Sequence, residues 1–213
     1  MKYETTMVAG PFIGLLHVAP KKDVRYYLNG LHCAPTPCGK RLMVEATDGH
    51  ILARIATDET APPAPFIVPR ELIENLRLKK SDATASIGVV VDGDQVQLFF
   101  GGSSVSGRLV DGVFPNTDRV IPRDDPKGEP AQFDPDLLVR LKKCADALGA
   151  RSRSYPHIAH NGDGNSARVF FDDLPDLVSV IMPLSSFDPL VNGSYPVQEW
   201  ERFPKPEQQP NAA

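Results

Sequence analysis

Ala46-Thr47-Asp48-Gly49-His50-Ile51-Leu52-Ala53 sets an Asp-Gly pair between two largely apolar runs, Arg41–Ala46 and Ile51–Ala56. Asp-Gly between such runs is a strong hairpin signal, because the central residues of a type I′ turn need positive φ. The reading is two antiparallel strands joined at Thr47–His50. Working outward, Val24–Cys33 reads as a third strand. Before it, Pro11–Ala19 reads as a helix: Pro11 suits a first turn, and Phe12, Ile13, Leu15, Leu16 and Ala19 share one face. Pro20 limits its length. A short strand near Tyr3 comes first. The plan is strand, helix, three strands.

That plan recurs, and a repeat of this kind decides the architecture. The second copy has a strand at Pro65–Val68 and a helix from Pro69 to Leu78, with Leu72, Ile73 and Leu76 on one face. Strands follow at Ile87–Val91, Gln95–Phe100 and Val105–Val110, with a turn at Asp92-Gly93-Asp94. The third starts near Ala131. Its helix runs from Pro135 to Leu148, capped by Asp134 and stopped by Gly149. Its strands fall at Tyr155–His160, Ala167–Phe171 and Leu177–Met182, with a turn at Asn161–Asn165. The fold class is α+β: about three βαβββ units, with helices on one face of antiparallel sheets. The polar stretch Asp124–Glu129 reads as a linker, and Ser185–Ala213 as an extended tail.

Composition narrows the function. The chain has 213 residues and a formal net charge of −4, so it is not a simple high-affinity ligand for nucleic acid. No apolar run is long enough to span a bilayer, and no secretory signal opens the chain, so a cytoplasmic protein with no membrane partner is expected. His32, Cys33 and Cys38 lack a fourth ligand at metal-site spacing, and no metal or cofactor is expected. Asp48 and His50 flank a turn glycine, and no catalytic constellation is found.

Basic residues gather on or beside the three helices: Lys21 and Lys22; Arg70, Arg77, Lys79 and Lys80; Arg140, Lys142 and Lys143, followed by Arg151 and Arg153. A solvated helix face looks the same for any one of them. Their recurrence on all three helices of an acidic chain points to one basic surface that meets DNA phosphates weakly and without regard to sequence.

Five segments resemble the bacterial DNA sliding clamp, the β subunit of DNA polymerase III. They are Val24-Arg25-Tyr26-Tyr27-Leu28-Asn29-Gly30, Ala46–Ala53, Phe66-Ile67-Val68-Pro69-Arg70, Leu109–Pro115 with Arg119-Val120-Ile121-Pro122, and Val180-Ile181-Met182-Pro183-Leu184. They occur in family order and cover nearly all of residues 1–184. The resemblance implies the DNA-clamp fold. It implies a domain like the clamp's middle domain at 1–122 and a half-domain like the end of its last domain at 123–184, with the first domain missing. It also implies a non-catalytic processivity factor that rings duplex DNA and binds linear peptides of polymerase and clamp loader. A ring of twelve half-domain units would need four chains of three.

The resemblance further implies an apolar peptide pocket. Its positions here are Leu28, Thr47, Gly49, His50, Ile51, Leu52, Pro115, Arg119 and Val120, with Val180, Ile181, Met182, Pro183 and Leu184 from the other side. The apolar members suit Leu or Phe side chains, and Arg119 and His50 would orient the peptide. Ile51 stands where the family usually has arginine. Ser186-Phe187-Asp188-Pro189-Leu190 has the acidic and apolar character of a pocket ligand. The alternative is a clamp-like peptide-binding adaptor or inhibitor that does not encircle DNA.

Overall fold

The first strand of each of the first two units leaves its own unit and joins the other. β1 (Lys2–Val8) lies antiparallel on β6 (Ser86–Asp92), which continues to β7 (Gln95–Phe100) and β8 (Ser103–Arg108). β5 (Phe66–Pro69) lies on β2 (Gly30–Pro35), followed by β3 (Arg41–Thr47) and β4 (Ile51–Thr60). This exchange interlocks the two units. The third unit attaches at the free edge of β4: β11 (Leu177–Ile181) pairs with it from Leu177↔Ile55 to Ile181↔Ile51, then β10 (Ala167–Phe170) and β9 (His157–Ala159) follow. The result is a four-stranded and a seven-stranded antiparallel sheet, β1-β6-β7-β8 and β5-β2-β3-β4-β11-β10-β9. The computed structural model describes residues 1–123, 131–161 and 164–184. The expected linker at 124–129, the tail at 185–213 and part of the 161–165 turn lie outside the described residues.

Among the described residues three α-helices accompany the sheets: α1 (Gly10–Leu15), α2 (Arg70–Asn75) and α3 (Pro135–Ala147). α1 is buried along its whole length. Phe12 and Leu15 are fully covered, each worth about 1.5–3 kcal/mol of apolar burial. Gly14 makes the seat for α3, because a Cβ there would lie 2.9 Å from the Cys144 carbonyl oxygen. Leu141, Cys144 and Ala145 supply the facing stripe, and burial pushes the Cys144 thiol up to about 12. Asp134 caps α3 as expected, its carboxylate accepting from Asp136 N at 2.8 Å.

Several expected boundaries shift. The helix expected over 11–19 ends at Leu15. Residues 16–18 tighten into a turn with His17 N on Gly14 O and Val18 N on Leu15 O, and the next carbonyls are taken by side chains described below. The second helix ends at Asn75, and Arg77 beyond it adopts φ +53°. The strand expected over 24–33 begins only at Gly30, because Tyr26–Leu28 is a 3-10 turn. The described residues just before α3, 131–134, form no strand. In neither Asp-Gly turn do both central residues take positive φ. Gly49 (φ +93°) and Gly93 (φ +63°) do so, and Asp48 instead closes its turn with its side chain.

No helix among the described residues is long and apolar enough to cross a membrane.

Candidate functional site

The hairpin turn after β3 is built from its own side chains. Thr47 Oγ1 donates to Ile51 O at 2.7 Å and accepts from Gly49 N at 3.0 Å. Asp48 Oδ1 accepts from His50 N and Ile51 N at 2.8 and 2.9 Å. Two arginines then grip the turn from outside. Arg25 Nη2 donates to Asp48 O at 2.8 Å and lies over Gly49, where a Cβ would come within 2.8 Å of Arg25 Nη1. Arg25 is held in turn by Asp23, at 3.0 and 2.7 Å, and that hydrogen-bonded pairing draws the Asp23 carboxyl down to about 2. Arg140, from α3, donates to Asp48 Oδ2 at 2.5 Å.

This rigid turn forms one wall of a cavity of about 180 Å³ at the seam between β4 and β11. Leu28, Thr47, Gly49, His50, Ile51, Leu52, Pro115 and Val120 line it from the first two units, and Val180 and Met182 from the third. Met182 N donates to His50 O at 2.8 Å, and Ser166 Oγ donates to Val120 O at 2.6 Å, so the third unit is bonded to both flanks. Most of the lining is apolar, with Arg25 and His50 at the rim. Such a cavity suits apolar side chains of a ligand whose polar or acidic groups stay outside. His50 Nδ1 is 3.9 Å from Asp48 Oδ1, too far for a hydrogen bond, so these two form no dyad.

Ten of the fourteen expected pocket positions thus come together. Arg119 and Leu184 are exposed and outside the lining, and Pro183, half-buried, is outside it too. Ile181 faces the opposite side of β11 and is fully buried in the main core, as strand alternation requires of a neighbour of Val180. Arg25, Tyr27, Asn116 and Thr117 line the cavity and were not expected there. Each sits inside or beside a segment quoted for the resemblance, but a continuous strand over 24–33 would send Arg25 and Tyr27 elsewhere than the observed turn does.

The basic residues divide into two sets. Arg70 is 8% exposed; its Nη1 donates to Leu16 O and Ala19 O at 2.7 and 2.9 Å, and its Nε to Glu74. Arg140 donates to His17 O and Val18 O at 2.9 and 2.8 Å. Two guanidiniums, one from each flanking helix, therefore satisfy four consecutive carbonyls at the end of α1. This corrects the expectation that Arg70 and Arg140 simply face DNA: each guanidinium makes three hydrogen bonds to groups of the protein. Lys142 pairs with Asp146 along α3. Lys21, Lys22, Arg77, Lys79, Lys80 and Lys143 remain exposed. Lys21 and Lys143 border the same depression as the two stapling arginines. Partial burial lowers the His17 pKa, and Lys143, Arg70, Arg140 and Lys80 lower it further. Arg151 and Arg153 are exposed beyond the C-terminal end of α3, where Arg151 N donates to Asp173 Oδ2.

Residues 13–116 match the family model for the DNA polymerase III beta subunit, central domain. The beta sliding clamp of Caulobacter vibrioides is 34% identical over 139 residues, covering 62% of this chain and 37% of that one. That of Pseudomonas aeruginosa is 36% identical over 110 residues, covering 50% and 29%. Over this matched part the chain belongs to the bacterial sliding-clamp family. It spans about a third of the length of the curated clamps it matches. Among solved clamps, the Borrelia burgdorferi DNA polymerase III subunit beta superposes with a TM-score of 0.67 at 14% identity, over 86% of this chain and 64% of that one. The Caulobacter crescentus pol III beta gives 0.66 at 21%, over 86% and 66%. These likenesses establish the α+β clamp fold for the sheets and helices described above.

Proposed function

We propose that this clamp-family chain is a non-catalytic processivity module that holds linear peptides of polymerase and loader in the seam cavity. The observation that carries the reading is the cavity itself. It lies between interlocked units, taken as a clamp domain at 1–122, and an attached unit, taken as a half-domain at 123–184. Its apolar lining comes from both, and its rim carries Arg25 and His50. The ligand that fits is a short extended peptide ending in Leu-Phe behind an acidic residue. The exposed Lys21, Lys22, Lys79, Lys80 and Lys143, with Arg77, then supply a weak, sequence-blind attraction to duplex DNA.

The test is fluorescence anisotropy with a fluorescein-labelled peptide of that design, on the wild type and on Val120→Asp. Val120 is 40% exposed, so the variant should fold. Saturable binding, weakened at least about tenfold by the carboxylate beside the apolar floor, supports the reading. Equal binding by both proteins, or none, refutes it.

A second reading is an adaptor or inhibitor that binds such peptides without encircling DNA. It is favoured by the net charge of −4 and by the internal use of Arg70 and Arg140. Light scattering on the full chain separates the two. A closed homo-oligomer, four chains for a ring of twelve units, supports the clamp; a monomer at every concentration, with or without DNA, supports the adaptor.

A further inference from the structure

The cavity wall formed by residues 113–120 belongs to no strand. Its short-range bonds are internal: Asp118 N to Asn116 Oδ1 at 3.1 Å and Val120 N to Thr117 O at 3.2 Å. Its position against the sheet is therefore set by side chains. Two of the ties reach solvent. Arg54 Nη1 donates to Asp118 Oδ1 at 2.8 Å, but the Asp118 side chain is 42% exposed, and the Ser166 bond to Val120 O is also at the surface. Water competes for both.

The third tie is buried. Thr117 Oγ1 donates to Glu45 Oε2 at 2.7 Å, and Glu45 Oε1 lies 2.7 Å from His32 Nδ1. The His32 ring stacks on Phe114 with centroids 4.5 Å apart and planes at 13°. Glu45 is 2% exposed, on β3, with its carboxylate turned under the wall. A carboxylate so placed is costly unless each oxygen is matched, and here each partner leads to a different point of the same wall: Thr117 directly, Phe114 through His32. An apolar residue would fill the space but would not fix both points. Glu45 and His32 do not line the cavity.

We infer that Glu45 is the positioning residue of this wall, gripping it at Thr117 and through His32 at Phe114, and so sets the width of the cavity. The consequence for peptides rests on the peptide-binding reading; the hold on the wall does not.

Thr117→Val keeps the shape and removes the donor, while Thr117→Ser restores it. Two readouts apply to the full-length protein: amide hydrogen exchange at Asp118 and Val120 without ligand, and affinity for the labelled Leu-Phe peptide. Thr117→Val is expected to speed exchange at these two amides about tenfold, leave the β3–β4 amides unchanged, and weaken the peptide about tenfold. Thr117→Ser, which keeps the donor, should stay within about twofold of wild type in exchange at the two wall amides. Glu45→Gln, which keeps the shape and loses the charge, should fall between them. Wild-type exchange at the wall in Thr117→Val overturns the inference. So does a uniform rise over the whole sheet, the mark of mere destabilisation. Faster wall exchange in a protein that never binds the peptide upholds the positioning role and removes the peptide reading instead.

Discussion

Replacing Arg140 by Leu separates a structural arginine from a solvated one. The side chain makes three contacts at once: His17 O, Val18 O and the Asp48 carboxylate. A hydrogen bond to a charged group is worth about 1.5–3 kcal/mol and one to a carbonyl about 1 kcal/mol. The gross loss is then about 4 kcal/mol. The Arg140 side chain is 31% exposed, so water takes over part of its work, and Asp48 keeps its two backbone donors. A net cost of about 2–3 kcal/mol is expected. In urea, with a slope of about 2 kcal/mol per molar, the midpoint should fall by about 1–1.5 M with the slope unchanged. Arg140→Lys should recover less than half of this, because one ammonium cannot span three acceptors. A loss under about 0.5 kcal/mol for Arg140→Leu would refute the staple and return Arg140 to the solvated surface.

Gly14→Ala should destabilise by about 1–3 kcal/mol despite alanine's better helix propensity, because its Cβ would meet the Cys144 carbonyl at 2.9 Å; a raised melting temperature would show that α1 and α3 are not so close. His17 makes stability depend on pH. Its folded pKa lies below the ordinary 6.5, so the unfolded chain takes up the proton first, and stability present above that value is lost as pH falls below it. His17→Gln should flatten that slope in urea titrations at several pH values, and an unaltered slope would contradict the crowding by Lys143, Arg70 and Arg140. If the Ser186–Leu190 segment competes for the cavity, deleting residues 185–213 should tighten labelled-peptide binding; unchanged affinity would sink that idea.

The fold was largely legible because apolar period and turn chemistry are local properties. Two helix starts, at Pro11 and Pro135, and the strand Gln95–Phe100 fall within a residue of their expected positions. The exchange of β1 and β5 between units was not legible, since nothing in a short apolar run names its partner. Helix ends failed for a related reason. α1 stops early where Arg70 and Arg140, dozens of residues away, take its carbonyls. The same long-range bonds hid the difference between a staple and a surface cation, which look alike in a helical charge pattern. For the cavity, positions beside the quoted turn were readable from the resemblance. Glu45 and His32 were not, because a carboxylate in a strand reads as a solvent-facing residue until its partners are seen.

The most direct test of the central claim is an NMR titration of the full-length protein with the Leu-Phe peptide, following backbone amides. The account expects saturable shifts confined to Thr47–Leu52, Asn116–Val120 and Val180–Met182, the three segments that meet at the seam. Shifts centred on the exposed lysines instead, or none at saturating peptide, would contradict it.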